Sequence, residues 1–192
     1  LIDTAGLRRK SRAAKKIERF SALKTLHSLE RCDIALILID ALEGVTQQDI
    51  TIAGYAYERG CGCIFLINKW DLARQQARKA KTFYDDLRDQ AKFLNFAPAM
   101  VISAATGWRV KKIFTLVEEV YGQYSTTLRT GEINRIFETA TRRNEPPLHR
   151  GKRLKFNYAT QIASCPPTFV CFVNFPEAVH FSYQRYLLNT IR

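Results

Sequence analysis

The sequence contains no long apolar run and few of the residues that build metal or covalent sites. No stretch approaches the roughly 18 consecutive apolar residues of a membrane span, and there is no recognisable signal peptide, so we expect no membrane partner. The five cysteines and three histidines lack the spacing of a tetrahedral metal site or a catalytic triad. We interpret the histidines as structural and the cysteines as small core residues in a reducing compartment.

Acidic residues are scarce relative to basic ones, and the shortage is uneven. The 192 residues include 30 Lys and Arg against 18 Asp and Glu, a net charge of +12. Residues 1–31 and residues 129–192 each carry a net +6, whereas residues 32–128 are neutral. Two basic ends around a neutral middle favour contact with a polyanion through counterion release from phosphates. A basic surface that merely aids solubility explains the same distribution, and both interpretations stay open.

Three short apolar runs, residues 34–39, 63–67 and 99–102, are continuous rather than alternating. Such runs are typical of strands buried on both faces of a parallel sheet. Segments with helical spacing of apolar residues lie before, between and after them. These predicted helices cover residues 20–29, 48–58, 78–94 and 110–120. The alternation predicts an α/β doubly wound parallel sheet with right-handed crossovers.

The pattern changes near Thr130. One more amphipathic helix is predicted over residues 133–140, with Thr130 as a candidate N-cap, and the Pro146-Pro147 pair soon ends it. Two runs of alternating type, residues 154–162 and 168–174, predict paired strands, and a helix follows over residues 181–191. The order helix, strand, strand, helix predicts a second, smaller α+β domain over residues 129–192, after a first domain over residues 1–128.

Polar motifs stand where the predicted parallel strands end. In open α/β sheets, ligands bind beyond the carboxyl ends of the strands, so we expect these motifs to lie along one edge of the sheet. The candidate nucleotide-binding residues are Asp3, Thr4, Ala5 and Gly6 at the start, Asn68, Lys69 and Asp71 after the second apolar run, and Ser103, Ala104 and Ala105 after the third.

Each motif has a role if the ligand is a guanine nucleotide. The carboxylate of Asp71 can accept two parallel hydrogen bonds from the ring N–H and the exocyclic amine of guanine, a pair of donors that adenine lacks. The stem of Lys69 can lie on the purine, and the amide of Asn68, which can both donate and accept, can tie the base to neighbouring loops. Backbone N–H groups around Ala104 can meet the guanine carbonyl. At the other end of the ligand, Asp3 can organise Mg²⁺ through water. A backbone N–H near Gly6 can reach a phosphate.

With these motifs in this order, the sequence resembles the Der (EngA) family, bacterial and plastid GTPases with two tandem GTPase domains and a C-terminal KH-like domain. The segments that carry the resemblance are DTAGLRRKSR, FSALKTLHSLERCD, IDALEGVTQQDITIAGYA, INKWDL, ISAATG, PPLHRGKRLKFNYATQ and PPTFVCFVN with SYQRYL. The resemblance implies the second P-loop-type GTPase domain from switch II onward, N-terminally truncated, and most of the KH-like domain. In both domains the motifs keep the order and spacing of the family.

The resemblance also implies a function for the whole protein. It implies a GTP-hydrolysing protein that uses GTP or GDP, Mg²⁺ and K⁺, and acts in assembly of the large ribosomal subunit. Its expected partners are that subunit and its rRNA, together with contacts between the KH-like domain and the GTPase domains. The expected compartment is the cytoplasm, or the plastid stroma for a plant protein.

Several features depart from the complete family pattern. The chain opens in mid-motif at Leu1, so it reads as a fragment whose P-loop and switch I should lie upstream. We therefore expect that this fragment alone neither hydrolyses GTP nor binds it tightly. Leu7 stands where many small GTPases place a water-orienting Gln, so it is either part of a different catalytic strategy or an exposed loop residue. We assign no catalytic residue.

The basic segments permit more than one interpretation. Residues 8–16, the switch II segment, are either an RNA or partner contact or a solvated charge run. The second domain lacks the Gly-x-x-Gly loop of a KH domain and the final strand of that fold. Its basic cluster is a candidate RNA or partner contact, formed by Arg150, Lys152, Arg153 and Lys155. Phe156 and Tyr158 are core residues or stacking platforms, and we favour the core.

Two alternatives to a GTPase remain at this level. The chain is a non-catalytic module that binds rRNA or its own GTPase domains, or it is a truncated product with only a structural role.

Overall fold

The computed structural model describes residues 29–149 and 151–192. These residues form two compact units that divide between Gly122 and Gln123. The motif at Asp3–Gly6, the switch II segment, nearly all of the predicted helix over residues 20–29, and Arg150 lie outside the described residues. None of the described helices is long and apolar enough to cross a membrane.

The first unit is built on a three-stranded parallel sheet in the order β1-β2-β3. The strands are β1 (Ile34–Asp40), β2 (Gly62–Asn68) and β3 (Ala99–Val101). Their register places Asp40 beside Asn68 and Ile67 beside Val101. The central strand β2 is buried from Cys63 to Ile67, which explains why its sequence is continuously apolar. The predicted parallel sheet is confirmed.

Helices cover both faces of this sheet. They are α1 (Gln47–Glu58), α2 (Trp70–Gln75), α3 (Ala80–Gln90) and α4 (Lys112–Tyr124). On one face, Phe65 and Ile67 pack in a large cluster with Leu87 of α3. On the other face, Ile64 and Leu66 pack against partly buried side chains of α4. The core thus lies in two layers around β2, which fixes the ends of the strands rigidly.

The helices of the first unit differ from the prediction in two places. The helix predicted over residues 78–94 is α3 followed by a separate 3₁₀ turn, Lys92–Leu94, because Ala91 leaves the helical region at φ −106° and ψ 47°. The short helix α2, which starts within the Asn68–Asp71 motif, was not predicted from the sequence.

The second unit has the predicted order helix, strand, strand, helix. Its main elements are α5 (Thr130–Arg143), β6 (Phe156–Ser164), β7 (Pro167–Val173) and α6 (Phe181–Ile191). A small hairpin that the sequence did not predict lies between α5 and β6 and consists of β4 (Leu148–His149) and β5 (Lys152–Arg153). The strands β6 and β7 pair antiparallel. The N-cap of α5 is Arg129, not Thr130.

The core of the second unit lies between the two helices and one face of the β6–β7 hairpin. Ile133, Phe137, Ala159, Tyr183 and Leu187 are buried there. Phe156 joins them, because its ring stacks on Tyr183 with centroids 5.8 Å apart. This burial explains the apolar spacing that identified α5 and α6.

The prediction that Phe156 and Tyr158 are both core residues is right for Phe156 and wrong for Tyr158. A register shift between these two positions interrupts the alternation of side chains along β6. The side chain of Tyr158 is 47% exposed and lies beside Phe172 instead.

Candidate functional site

The candidate site lies where the loops after β1, β2 and β3 meet. Backbone hydrogen bonds join these loops: Ala41 N–H donates to the carbonyl of Asn68 (2.9 Å), and Trp70 N–H donates to the carbonyl of Ile102 (3.0 Å). Two of the three motifs predicted for nucleotide binding, at residues 68–71 and 103–105, are therefore neighbours. The third, Asp3–Gly6, lies outside the described residues.

Asn68 ties the second loop to the third. Its Oδ1 accepts a hydrogen bond from the backbone N–H of Ala104 at 2.9 Å. This bond fixes the orientation of the side-chain amide, since the oxygen must face Ala104. Asn68 therefore contacts the third loop, and its predicted contact with a base stays a prediction.

Lys69 is held by a partner that the sequence motifs did not identify. Its Nζ lies 2.5 Å from Oδ2 of Asp40, and Oδ1 of Asp40 accepts the N–H of Leu42 at 2.8 Å. Asp40 follows the first apolar run just as Asn68 follows the second, so its position at a strand end was the available signal. The sheet register then places the two side by side.

The charge of Asp40 is stabilised where it sits. Burial raises the pKa of this carboxyl, but hydrogen bonds from Lys69 and from the backbone N–H groups of Leu42 and Glu43, with the positive charge of Lys69, outweigh it. The resulting pKa lies below the ordinary value. Asp40 is therefore ionised at neutral pH and holds Lys69 as a charged pair.

The short helix α2 presents Asp71. Lys69 adopts a left-handed backbone conformation, φ 61°, which turns the chain from β2 directly into α2. Trp70 then buries its ring edge-on against Phe83, with centroids 6.5 Å apart. Because Trp70 and Ala73 anchor the inner face of α2, the first turn of the helix, with Asp71, is fixed over the ends of the strands.

One carboxylate oxygen of Asp71 is buried without a hydrogen-bond partner. Among the buried side-chain nitrogen and oxygen atoms of the described residues, only Oδ1 of Asp71 has no hydrogen-bond partner. Leaving a buried carboxylate oxygen unsatisfied costs on the order of 1–3 kcal/mol or more. Such a cost is tolerated where an external donor satisfies the atom, so Oδ1 is free to accept a hydrogen bond from a ligand N–H group.

The third loop is tightly folded around Ser103. This residue is fully buried, its N–H donates to the carbonyl of Trp108 (3.1 Å), and its Oγ accepts the N–H of Thr106 (3.3 Å). Ala104 and Ala105 are exposed at the tip, where their small side chains leave the backbone approachable. Within the described residues, the N–H of Ala105 has no protein acceptor.

Trp108 and Arg109 also border this loop and were not identified from the sequence. The guanidinium of Arg109 lies 4.4 Å from the centroid of the Trp108 ring, which is 41% exposed. Neither residue belongs to a motif whose spacing would have marked it.

The cysteines show no metal chemistry in the part of the chain that the structure covers. All five are free thiols, and no group of three or more His, Cys, Asp or Glu residues there could hold a metal ion. Cys61 and Cys63 are buried as predicted, whereas Cys165 is exposed, so the core interpretation is wrong for that residue. The magnesium role of Asp3 stays a prediction.

The basic cluster of the second unit lies at its surface. Lys152, Arg153 and Lys155 are exposed, and Arg153 lies 3.3 Å from a carboxylate oxygen of Glu145. The side chain of Asn174 holds the backbone here, because it donates to the carbonyl of Arg153 and accepts the N–H of Lys155. Arg150, the fourth member of the predicted cluster, is not among the described residues.

Comparisons with known proteins identify relatives of both units. The family described as elongation factor Tu GTP binding domain matches residues 19–123, and the family described as KH-domain-like of EngA bacterial GTPase enzymes, C-terminal, matches residues 128–192. A protein named GTPase Der from Desulforapulum autotrophicum is 62% identical over 192 residues, which is all of this chain and 39% of that protein. GTPase Der of Citrifermentans bemidjiense is 51% identical over 193 residues, which is 44% of its length. The chain thus spans less than half the length of these relatives.

Solved structures share the fold at low sequence identity. Era in complex with MgGDPNP and nucleotides 1506–1542 of 16S ribosomal RNA is 18% identical, with a TM-score of 0.51 over 99% of this chain and 68% of that one. A probable GTP-binding protein engB is 16% identical, with a TM-score of 0.50 over 62% of this chain and 75% of that one. These likenesses support a GTPase-type α/β fold followed by a KH-like domain. By its identity to the GTPase Der relatives and its match to both family models, the chain belongs to the Der (EngA) family of GTP-binding proteins.

Proposed function

We propose that this chain supplies guanine recognition to a GTP-binding, GTP-hydrolysing protein. The observation that carries the proposal is the buried, unpartnered Oδ1 of Asp71 at the edge where three loops meet. Guanine offers two adjacent donors, the ring N–H and the exocyclic amine, to the two oxygens of this carboxylate. Adenine would leave the buried oxygen unsatisfied, at a cost of a few kcal/mol.

The neighbouring groups complete a pocket for the base. The charged pair with Asp40 holds the Lys69 side chain at the strand ends, so that its apolar stem can lie on the purine ring. Because the N–H of Ala104 is already given to Asn68, the N–H of Ala105 is the donor available to the guanine carbonyl. The buried Ser103 holds the third loop in place by accepting the N–H of Thr106.

We assign phosphate and metal binding to the motif at residues 3–6. Asp3, Thr4, Ala5 and Gly6 would sense Mg²⁺ and the terminal phosphate, with K⁺ as a further ion implied by the family. Hydrolysis requires a P-loop that the sequence of this chain does not contain. We therefore propose GTP hydrolysis for the full-length protein, in a cytoplasmic role in large ribosomal subunit assembly, and expect no turnover from these 192 residues alone.

Exchange of the Asp71 carboxylate for an amide tests the base contact. In the full-length protein, Asp71→Asn should weaken GTP and GDP and admit xanthine nucleotides, because an amide donor matches the second carbonyl of xanthine. Affinities for both bases are measured by nucleotide titration. Asp85→Asn, an exposed carboxylate on α3, is the matched control and should change neither affinity. Unaltered GTP affinity in Asp71→Asn would show that the site is misassigned.

A second candidate function is binding of a polyanion by the second unit. Residues 146–176, which form both of its hairpins, contain four Lys or Arg and no Asp or Glu. Era, which shares the fold, is bound to ribosomal RNA in its solved structure. We propose that the candidate contacts are Arg150, Lys152, Arg153 and Lys155, and that the partner is ribosomal RNA.

A salt titration tests the second candidate. Contacts to phosphates lose affinity steeply as ionic strength rises, because each releases counterions. A flat response would favour the alternative partner, the GTPase domains of the same protein.

A further inference from the structure

The outer face of the β6–β7 hairpin carries two paired aromatic rings in the open. Tyr158 lies directly opposite Phe172 in the register of the two strands, and their ring centroids are 6.0 Å apart. Their exposed fractions are 47% and 54%. We name this pair of side chains the aromatic face.

The local backbone explains why these rings point outward. The register shift after Phe156 leaves that ring in the core and Tyr158 outside, while Ala159, the next residue, is 1% exposed and packs inward. Asn134 of α5 accepts the N–H of Ala159 and donates to its carbonyl, both at 2.9 Å. The strand is thus fixed on its inner side, so Tyr158 cannot turn inward without breaking this pair of bonds.

The segment that carries the aromatic face contains basic residues and no acidic ones, although Arg153 pairs with Glu145 just outside it. No acidic residue occurs between positions 146 and 176, and the exposed side chain of Lys155 stands three residues before Tyr158. Three residues of extended chain span about 10 Å, a distance that a lysine side chain partly closes. A base stacked on Tyr158 would therefore have a cation within reach of its backbone phosphates.

We propose that single-stranded RNA binds the aromatic face, with bases stacked on Tyr158 and Phe172 and phosphates held by the neighbouring cations. Exposed aromatic rings beside a cationic track bind single strands with little sequence preference, because every base has a π-face. An apolar protein partner would use the rings without needing the absence of acidic residues. The inference rests on the second candidate function, polyanion binding by this unit, and names the surface that performs it.

Ring removal in the 192-residue chain tests the proposal. The probes are a mixed-sequence single-stranded RNA of about 12 nucleotides, within the usual range of site sizes, and inorganic polyphosphate, which has the charge but no bases. Fluorescence anisotropy and competition give both affinities. The variants are Tyr158→Ala, Phe172→Ala and the conservative Tyr158→Trp. Phe181→Ala removes a ring on α6 that is 63% exposed and serves as the matched control.

The expected result separates stacking from charge. Tyr158→Ala and Phe172→Ala should each weaken RNA binding roughly tenfold and leave polyphosphate binding unchanged. Tyr158→Trp and Phe181→Ala should bind RNA like the unsubstituted chain. Circular dichroism should show all four variants folded, because each altered side chain is exposed.

Three outcomes would overturn the proposal. If RNA binds but ring removal has no effect, the cations alone make the contact, and the polyanion function stands without the aromatic face. If ring removal weakens RNA and polyphosphate equally, the rings do not stack on bases. If the chain binds no RNA even at low salt, the second candidate function fails together with this inference, and loss of self-association in Tyr158→Ala would then mark the face as a protein surface.

Discussion

The ammonium of Lys69 and the carboxylate of Asp40 form an ion pair, 2.5 Å from nitrogen to oxygen, that joins the ends of β1 and β2. Their side chains are 42% and 20% exposed, so solvent screening limits what the pair adds to folding stability. Its main consequence is orientation. A lysine side chain that is otherwise free to rotate is held in one place at the candidate base site.

A double-mutant cycle tests this positioning role. In the full-length protein, Asp40→Asn should weaken GDP binding severalfold, because it removes the negative charge that pairs with Lys69 while keeping an acceptor for the N–H of Leu42. In a Lys69→Ala background the same change should cost almost nothing further. Isothermal titration gives the affinities, and Glu43→Gln, on an exposed neighbour, is the control. Equal losses in both backgrounds would mean that Asp40 acts structurally.

The strands and the site motifs were predictable because they depend on local sequence. The strand β2 is apolar over its buried length, and Asn68 to Asp71 follow it directly. The parallel topology then implies that the motifs share one edge of the sheet. No knowledge of distant contacts was needed for that step.

What escaped prediction depends on contacts between distant residues. The helix α2 has only six residues, and it is held by the packing of Trp70 on Phe83. The partner of Lys69 is 29 residues away and is brought close only by the strand register. The exposure of Tyr158 depends on a register shift that leaves no mark in the alternating pattern of β6.

Replacing Ala77 by glycine should stabilise the first unit. After α2, Ala77 adopts φ 56°, and the N–H groups of Ala77 and Arg78 donate to the carbonyls of Arg74 and Ala73. This is a Schellman motif, in which glycine is favoured because a Cβ is strained in the left-handed region. Ala77→Gly should raise the free energy of unfolding by about 0.5–1 kcal/mol.

Urea unfolding followed by tryptophan fluorescence measures this change, since Trp70 and Trp108 both lie in the first unit. Gln75→Gly, at the last residue of α2, should instead lower stability by a similar amount. A destabilised Ala77→Gly would contradict the assigned cap.

Asn134 should contribute strongly to the stability of the second unit. Its side chain satisfies both backbone groups of Ala159, and it also donates to the carbonyl of Thr130 at 2.7 Å. Asn134→Ala leaves a buried N–H and a buried carbonyl without partners, so the free energy of unfolding should fall by about 2–4 kcal/mol. Asn134→Asp keeps the acceptor for the N–H of Ala159 but places a carboxylate oxygen against the carbonyls of Ala159 and Thr130, so it should not restore the lost stability.

The rate of hydrogen exchange at the amide of Ala159 measures whether its hydrogen bond to Asn134 is kept. Denaturant unfolding gives the change in the free energy of unfolding. Arg135→Ala, at the exposed next position, should leave both unchanged. If the amide of Ala159 exchanges as slowly in Asn134→Ala as in the unsubstituted chain, the Asn134 side chain does not hold β6 in place.

Tyr183 should make the second unit sensitive to alkali. Burial raises the pKa of its phenol from 10.0 to about 12, with a smaller contribution from Tyr186, and its hydroxyl donates to the carbonyl of Asn144 at 2.7 Å. A raised pKa means that the folded state keeps a proton that the unfolded state loses. Its contribution to stability is therefore complete below pH 10 and is lost as the pH rises towards 12.

The free energy of unfolding, measured across this interval, should fall in the unsubstituted chain. Tyr183→Phe cannot titrate, so its stability should fall less steeply over the same interval. At neutral pH the variant should be weaker by about 1 kcal/mol, because it lacks the hydrogen bond to Asn144. Equal slopes for the two proteins would show that Tyr183 does not drive the alkaline loss of stability.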